Sequence, residues 1–352
     1  MRNYGLQKNL VGQTSVKISN IGFGGASIGN LFRSISNEQA NQAVQKSVEL
    51  GINYFDTAPR YGHGLSERRL GDSLRSHDRE KLIISSKVGR ILKPIRNIEP
   101  NTLRHGFQSP MPFDEIFDYS YHGIMRSFED SLQRLGTSHI DIMYIHDIGE
   151  FTHQDMNSHY YTQLKNGGFR ALEELKKDGS IKAIGIGVNE TEICNKMLDD
   201  FQLDVILLAS RYTLLEQESL NHFFPKCKEH KTSVVIGGAY NTGILATGVN
   251  NYKCPIYNYE KAPQSIIEKV RVIENICLEY SVSLPAVALQ FVLANENVAS
   301  VIPGLAKSSR VEDTLALLNQ DIPSELWSKL VKKSIISETA PLPRKPVELD
   351  YQ

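Results

Sequence analysis

Little in this chain marks a special environment. Its four cysteines, Cys194, Cys227, Cys254 and Cys277, stand too far apart for a CxxC clip. That spacing excludes a disulfide scaffold and a cysteine-based metal or redox pair, and scattered thiols suit a reducing compartment. The N-terminal MRNYGLQKNLVGQTSVKISN lacks the apolar core of a signal peptide, so a cytoplasmic location is expected. No window approaches the ~20 apolar residues that a membrane-spanning helix needs, and no membrane association is expected. Neither sign of charge dominates: 39 Lys plus Arg stand against 40 Asp plus Glu. Nothing therefore suggests nucleic acid or an acidic surface as a partner. Short repeats, low-complexity tracts and metal-ligand spacings are missing too, and nothing bears on oligomeric state.

What is present is the composition of a globular protein. Of 352 residues, 41% are hydrophobic and 22% charged, enough for two domains or one large α/β barrel. Short apolar runs recur at 18–26, 53–58, 82–89, 141–147, 181–188, 204–211, 232–239 and 299–304. Each is bounded by Gly, Asp or Pro, as strands covered on both faces are. Between them lie amphipathic stretches: 36–51 with a Ser cap and a closing Gly, 66–76, 123–136, 167–179, 189–201, 218–230 and 308–319. In the second of these Ser66 reads as the cap, with Glu67 in the first turn where the helix dipole favours an anion.

Eight strand–helix units point to a parallel sheet, and eight is the number that closes into a (β/α)8 TIM barrel. A doubly wound open sheet is the runner-up. It would put a Gly-rich dinucleotide turn after the first strand, but GFGGASIGN (22–30) lacks the GxGxxG spacing. Glycines there let backbone approach a ligand at a barrel mouth. The expectation is one barrel domain over 1–352, with its core at about 18–320 and a C-terminal tail at 321–352, irregular after Leu330. Long strand-to-helix loops at 90–120, 148–166 and 244–263 are candidate functional segments. The helical pair 264–281 and 284–297 adds mass before the last strand.

Chemistry collects at the C-terminal ends of the runs. The second ends at Asp56, with Tyr61 five residues on; the third ends near Lys87 and the fourth at His146. Alone, each has an ordinary reading as a turn cap, surface packing or a satisfied core histidine. A Lys closing an apolar strand is unusual, because burying its charge without a partner is costly. In a barrel all four converge on one mouth. Together they suit proton transfer at a carbonyl or alcohol oxygen: Tyr61 as acid–base, Lys87 lowering its pKa, Asp56 holding Lys87, and His146 orienting the substrate oxygen.

The segments NYFDTAPRYGHGLSERRLGDSL, LIISSKVG, SFEDSLQRLGTSHIDIMYIHD, IKAIGIGVN and SVIPGLAKSSRVEDT follow one another over roughly 18–320. In order and spacing they resemble the aldo-keto reductase family. More narrowly they resemble its branch of aldose 1-dehydrogenases and pyridoxal 4-dehydrogenases. The resemblance implies a TIM barrel that binds a nicotinamide cofactor without a Rossmann fold, with a catalytic tetrad at Asp56, Tyr61, Lys87 and His146. It implies cofactor contacts at Gly24, Gly25, Asp56, Asn189, Gly238, Gly304, Lys307, Ser309, Arg310 and Asp313. Phosphate at the start of the helix after Gly304 agrees with free backbone N–H groups and the helix dipole.

This chain departs from the family pattern in places. Ala209 stands where many members carry Gln. Gly237 or Gly238 takes the place of an aromatic under the nicotinamide, with Tyr240 displaced. Gly304 replaces the Lys of NADP-preferring members. Lys307 and Arg310 could meet a 2′-phosphate, whereas Glu312 and Asp313 would repel it, so NAD is favoured over NADP. The implied activity is hydride transfer between NAD(P) and a free aldose, giving a lactone, or a related aldehyde or alcohol. Pyridoxal oxidation is the alternative. Outside that chemistry stand a Schiff-base aldolase using Lys87 and a cofactor-binding sensor without significant turnover.

Overall fold

A computed structural model describes residues 5–96, 98, 99, 101–250 and 254–343. Its centre is an eight-stranded parallel sheet of β1 (Phe23–Gly24), β2 (Tyr54–Asp56), β3 (Ile83–Val88), β4 (Ile142–His146), β5 (Ala183–Val188), β6 (Val205–Ala209), β7 (Ser233–Gly237) and β8 (Val298–Ile302). Consecutive strands are neighbours throughout, and parallel bridges Ile21↔Val301 and Gly24↔Gly304 join the first strand to the last. Gly22 and Gly24 donate to Val301 and Pro303 at 2.9 Å, so the expected (β/α)8 barrel is closed by backbone hydrogen bonds. Seven of the eight apolar runs of the sequence contain one of these strands whole, and the eighth, 299–304, starts one residue after Val298.

Strand periodicity decides what faces inward. Tyr54 and Asp56 alternate along β2, Ser85 and Lys87 along β3, and Ile142, Tyr144 and His146 along β4. The Tyr54 and Tyr144 hydroxyls meet at 2.9 Å inside the barrel, one layer below Asp56. Beneath them a hairpin of Lys8–Leu10 and Lys17–Ser19 plugs the base. Its Val11, Val16 and Ile18 pack with Tyr54, Ile142, Tyr144, Val205, Leu207 and Val235. A larger apolar cluster fills the space between strands and helices.

The helices follow local rules. Asn37–Glu49 begins with a capping box in which Ser36 and Gln39 exchange side-chain and backbone bonds, a device worth about 1 kcal/mol. Tyr121–Leu135 starts at Ser120 and ends on Gly136 at φ 64°. Helix Leu65–Leu74 does not start at Ser66 as expected; it starts behind Gly64. Residues Gly62, His63 and Gly64 are all left-handed, and this turn feeds the chain into the helix one residue early. Ser66 is instead buried, bonding Gly25 O at 2.7 Å and Thr57 Oγ1 at 2.8 Å. Glu67 stands in the first turn as expected, but it is buried there and accepts from Ser86 Oγ and Arg134 Nε. A Cβ on Gly71 would lie 2.2 Å from the Leu135 carbonyl, so this glycine lets two helices touch.

Two of the long loops contain sheet. Arg90–Pro94 pairs antiparallel with Phe113–Phe117, and Leu103–Arg104 with Phe107–Gln108. In the third loop Ile256–Tyr257 pairs with Glu260–Lys261. The segment 148–166 is helical rather than irregular, with Glu150–His153, Asn157–Gln163 and a wide turn at Leu164–Gly168. Helices Gln264–Glu279 and Leu284–Leu293 form the expected extra mass. The tail holds helix Ser324–Lys332 and is then pinned: Gln217 bonds Ile335 O and Ser337 N, and Ile336 is buried. Its end, from 344, lies outside the described residues. Among the described residues no single helix is long and apolar enough to cross a membrane.

Candidate active site

Lys87 is the hinge of the site. It is 1% exposed, and its ammonium donates to both Asp56 oxygens and to Thr57 O, each at 2.8 Å. All three protons are thereby used. A charge buried this deeply persists because it is paired and fully hydrogen-bonded. Ser85 Oγ donates to Asp56 at 2.8 Å and lies 3.2 Å from Tyr54 OH, tying the pair to the tyrosine layer below. Burial pushes the Asp56 carboxyl up, against the pull of Lys87 and Ser85.

Tyr61 comes to this pair from the turn after β2. Its ring centroid lies 4.7 Å from Lys87 Nζ and 6.1 Å from the His146 imidazole, which meets it edge-on. Phe107, from the first long loop, closes another side at 6.3 Å. Asp56, Tyr61, Lys87 and His146 thus share one space at the barrel mouth. The expected lowering of the phenol pKa is absent, however. Burial raises Tyr61 well above its ordinary value, and Asp56 and Asp147 push the same way. Asp56 sits in contact with Lys87 and offsets its field, so Tyr61 holds its proton.

His146 closes β4. Burial lowers it well below the ordinary imidazole range, against the pull of Asp147, so it is neutral at pH 7. Tyr119 OH donates to its carbonyl at 2.6 Å. That hydroxyl has one proton, so at its 2.9 Å contact with His153 the Nε2–H donates.

Around these four lies an ionic network that the sequence reading missed. Arg90 is 4% exposed at the side chain and bonds Asp147 at 2.5 Å and Glu115 at 2.7 Å; Arg60 also pairs with Glu115. Asp147 follows His146 directly, at φ 51°. Its signal in the sequence was the pair HD at a strand end, and that of Arg90 was the cation after KVG. Opposite stands an aromatic pair, Phe32 and Tyr259, with centroids 6.1 Å apart. Both are more than half exposed and both sit at positive φ (62° and 68°), which bulky residues rarely adopt. Tyr259 reaches Asn189, and Asn258 beside it accepts from Arg211.

The expected cofactor residues differ in exposure. Gly24 and Gly25 leave room for protein rather than for a ligand: added Cβ atoms would meet Pro303 O at 2.7 Å and Asp56 O at 2.4 Å. Gly304 is exposed and pairs with Gly24; Gly238 is exposed at φ 62°. Lys307, Ser309, Arg310 and Asp313 are exposed at the start of helix Ser308–Leu318, which has no side-chain cap. A helix start leaves N–H groups for an anion, though that of Arg310 already bonds Lys307 O at 3.0 Å. Tyr240 lies in the field of Arg310, with a buried hydroxyl lacking a partner among the described residues. Glu312 turns away to Lys46 at 3.5 Å, so it opposes a 2′-phosphate less than expected.

The buried histidines also set a pH dependence. Burial brings His63 and His153 down to about 4, from 6.5 in the unfolded chain. As pH falls from 6.5 to 4 the unfolded chain gains protons that the native state refuses. Stability present above pH 6.5 is therefore lost, by up to about 3 kcal/mol per group. Chemical denaturation across this window shows the slope, and His63→Asn, which tolerates the left-handed backbone, flattens it.

Residues 20–335 match the aldo/keto reductase family. A pyridoxal 4-dehydrogenase from Microbacterium luteolum is 40% identical over 339 residues, covering 94% of this chain and 98% of its own. A D-threo-aldose 1-dehydrogenase from a Pseudomonas species is 34% identical over 318 residues, covering 90% and 94%. Among solved structures, the holo form of an aldo-keto reductase from Bacillus halodurans superposes with a TM-score of 0.71 at 24% identity, over 93% of this chain and 96% of that one. That likeness speaks for the fold.

Proposed function

The chain belongs to the aldo/keto reductase family and is an NAD(P)-dependent oxidoreductase; from that premise we propose that it oxidises a cyclic hemiacetal, a free aldose first and pyridoxal as the alternative, to a lactone. Both compounds exist as cyclic hemiacetals, so loss of one hydride and one proton gives a lactone in either case. One observation carries the reading: a neutral imidazole and a protonated phenol face the same space beside a buried, fully bonded ammonium.

The nicotinamide, when bound, supplies a carbon that takes or gives hydride. The remaining work falls to the chain. His146 presents an N–H to the substrate oxygen and orients it. Tyr61 exchanges the proton with that oxygen. Lys87 and Asp56 fix the phenol's surroundings without exchanging protons themselves. A phenol that keeps its proton is ready as an acid for carbonyl reduction, and oxidation uses the reverse step. The aldolase alternative finds no support, because Asp56 and Thr57 O take every hydrogen-bonding position of the Lys87 nitrogen.

Asn189, Gly238 and Gly304 line the rim for the nicotinamide half, and the uncapped helix start at Lys307–Arg310 suits the phosphates. Gly304 and Asp313 favour NAD. The free cysteines support a reducing, cytoplasmic compartment. The test is a panel of free aldoses, pyridoxal and simple aldehydes, each with NAD and NADP, following absorbance of the reduced cofactor. The expected result is reduction of NAD with at least one hemiacetal. No signal with any pair, with cofactor still bound, would replace this reading by that of a cofactor-binding sensor.

A further inference from the structure

The reaction explains the tetrad but leaves Asp147 without a task. Its position is constrained from several sides. Tyr119 pins the carbonyl of the residue before it, and its own N–H bonds Gly187 O at 2.9 Å. Between these anchors the backbone turns left-handed at φ 51°, a conformation that costs about 1 kcal/mol or more and persists where surroundings impose it. The turn brings the Asp147 carboxylate back over the strand it has just left. Oδ2 lies 3.4 Å from His146 Nε2 and 2.5 Å from Arg90.

That first distance is informative. It exceeds a good N–H···O bond, so the imidazole proton is not consumed by the carboxylate. Arg90 occupies one of about four lone-pair sites on the carboxylate, and the side chain stays 16% exposed toward the mouth. Burial would raise this acid, but His146, Arg90 and Arg60 hold it at about 2, so it is anionic at every working pH. A donor and an anionic acceptor with lone pairs to spare beyond Arg90 thus stand side by side, 3.4 Å apart. Neighbouring hydroxyls of a sugar ring have a matching spacing, roughly 3 Å. An oxygen held by His146 N–H carries the hydroxyl of the adjacent carbon toward Asp147.

We infer that Asp147 is a substrate-binding residue that accepts a hydrogen bond from the hydroxyl on the carbon next to the reacting one, the C2 hydroxyl of an aldose. The inference rests on the hemiacetal reading above. Arg90 is its positioning residue, holding the carboxylate between the mouth and Glu115. With a 2-deoxy sugar the carboxylate keeps Arg90 but gives up water at the mouth and gains no hydroxyl in exchange. The site therefore discriminates against 2-deoxy sugars as well as favouring the intact ones.

The experiment compares kcat/KM for the best aldose of the panel and for its 2-deoxy analogue, in wild type, Asp147→Ala and Asp147→Asn. Wild type should prefer the intact sugar by about tenfold to a hundredfold, the range of a charge-assisted hydrogen bond. Asp147→Ala should lower kcat/KM for the intact sugar by a similar factor and for the 2-deoxy sugar far less, bringing the ratio toward one. Asp147→Asn keeps the left-handed turn and an oxygen acceptor, and its ratio should fall between. An equal loss on both sugars would show that Asp147 acts only through His146 and would overturn the inference, as would a wild type indifferent to the 2-hydroxyl. Turnover of pyridoxal with no aldose accepted would also overturn it, while leaving the oxidoreductase reading intact. Silence with every substrate would sink both.

Discussion

Tyr61→Phe should lower kcat by roughly 10³-fold, within the 10²- to 10⁴-fold range of general acid–base catalysis, while the cofactor Kd moves by no more than about twofold. The argument is geometric. The Tyr61 ring is framed by Lys87, His146 and Phe107, and a phenylalanine keeps all three contacts. Only the hydroxyl is lost, and with it the proton that the substrate oxygen needs. The cofactor contacts proposed above lie elsewhere, at the strand-eight turn and the helix start at Ser308. Steady-state kinetics with the best substrate of the panel give the first number, and fluorescence titration with NAD gives the second. A variant with substantial turnover but lost cofactor binding would remove Tyr61 from the acid–base role.

The second large effect is on stability. Lys87→Met leaves Asp56 buried among Ser85, Tyr54 and Thr57 with no cation, at a cost of about 3–5 kcal/mol, as for other buried pairs broken from one side. Asp56→Asn in the same chain removes the stranded charge, and the double variant should recover most of that loss, because a buried pair is often replaceable by neutral groups of similar size. Activity should not return with stability, since the ammonium beside Tyr61 is gone. Denaturant unfolding of the wild type, both single variants and the double variant measures the coupling. If Lys87→Met alone were as stable as wild type, the pair would not be the buried ion pair described here.

Much of this was legible because strand periodicity is a simple code. Residues two apart share a face, so Tyr54 with Asp56, Ser85 with Lys87, and Ile142 with Tyr144 and His146 turn inward once the runs are read as strands. Residues separated by ninety positions then meet at one mouth. The network of Arg60, Arg90, Glu115 and Asp147 was not legible, because ion pairs between distant loops leave no periodic trace. Glu115 reaches the site only because Arg90–Pro94 finds Phe113–Phe117 across a polar hairpin without clean alternation. The segment 148–166 reads as loop by composition, yet its polar and aromatic residues form helices. Ser66 looked like a cap from its position alone, and the left-handed turn at 62–64 starts the helix ahead of it, at Leu65. The phenol's pKa went the opposite way for a related reason: Lys87 was visible, but not how deeply Tyr61 would be buried or that Asp56 and Asp147 would push it the same way.

The hydrogen-bonded ladder from Asp56 through Ser85 to Tyr54 and Tyr144 ends against the valines and isoleucine of the N-terminal hairpin. It is a cul-de-sac. Both tyrosines are pushed well above their ordinary values by burial and keep their protons, so the ladder offers no ionised group at the barrel floor. A proton traded with bulk water at Tyr61 then leaves by the mouth, the threshold that the substrate also crosses. Substrate admission and proton escape then share one doorway, and whatever narrows it slows both.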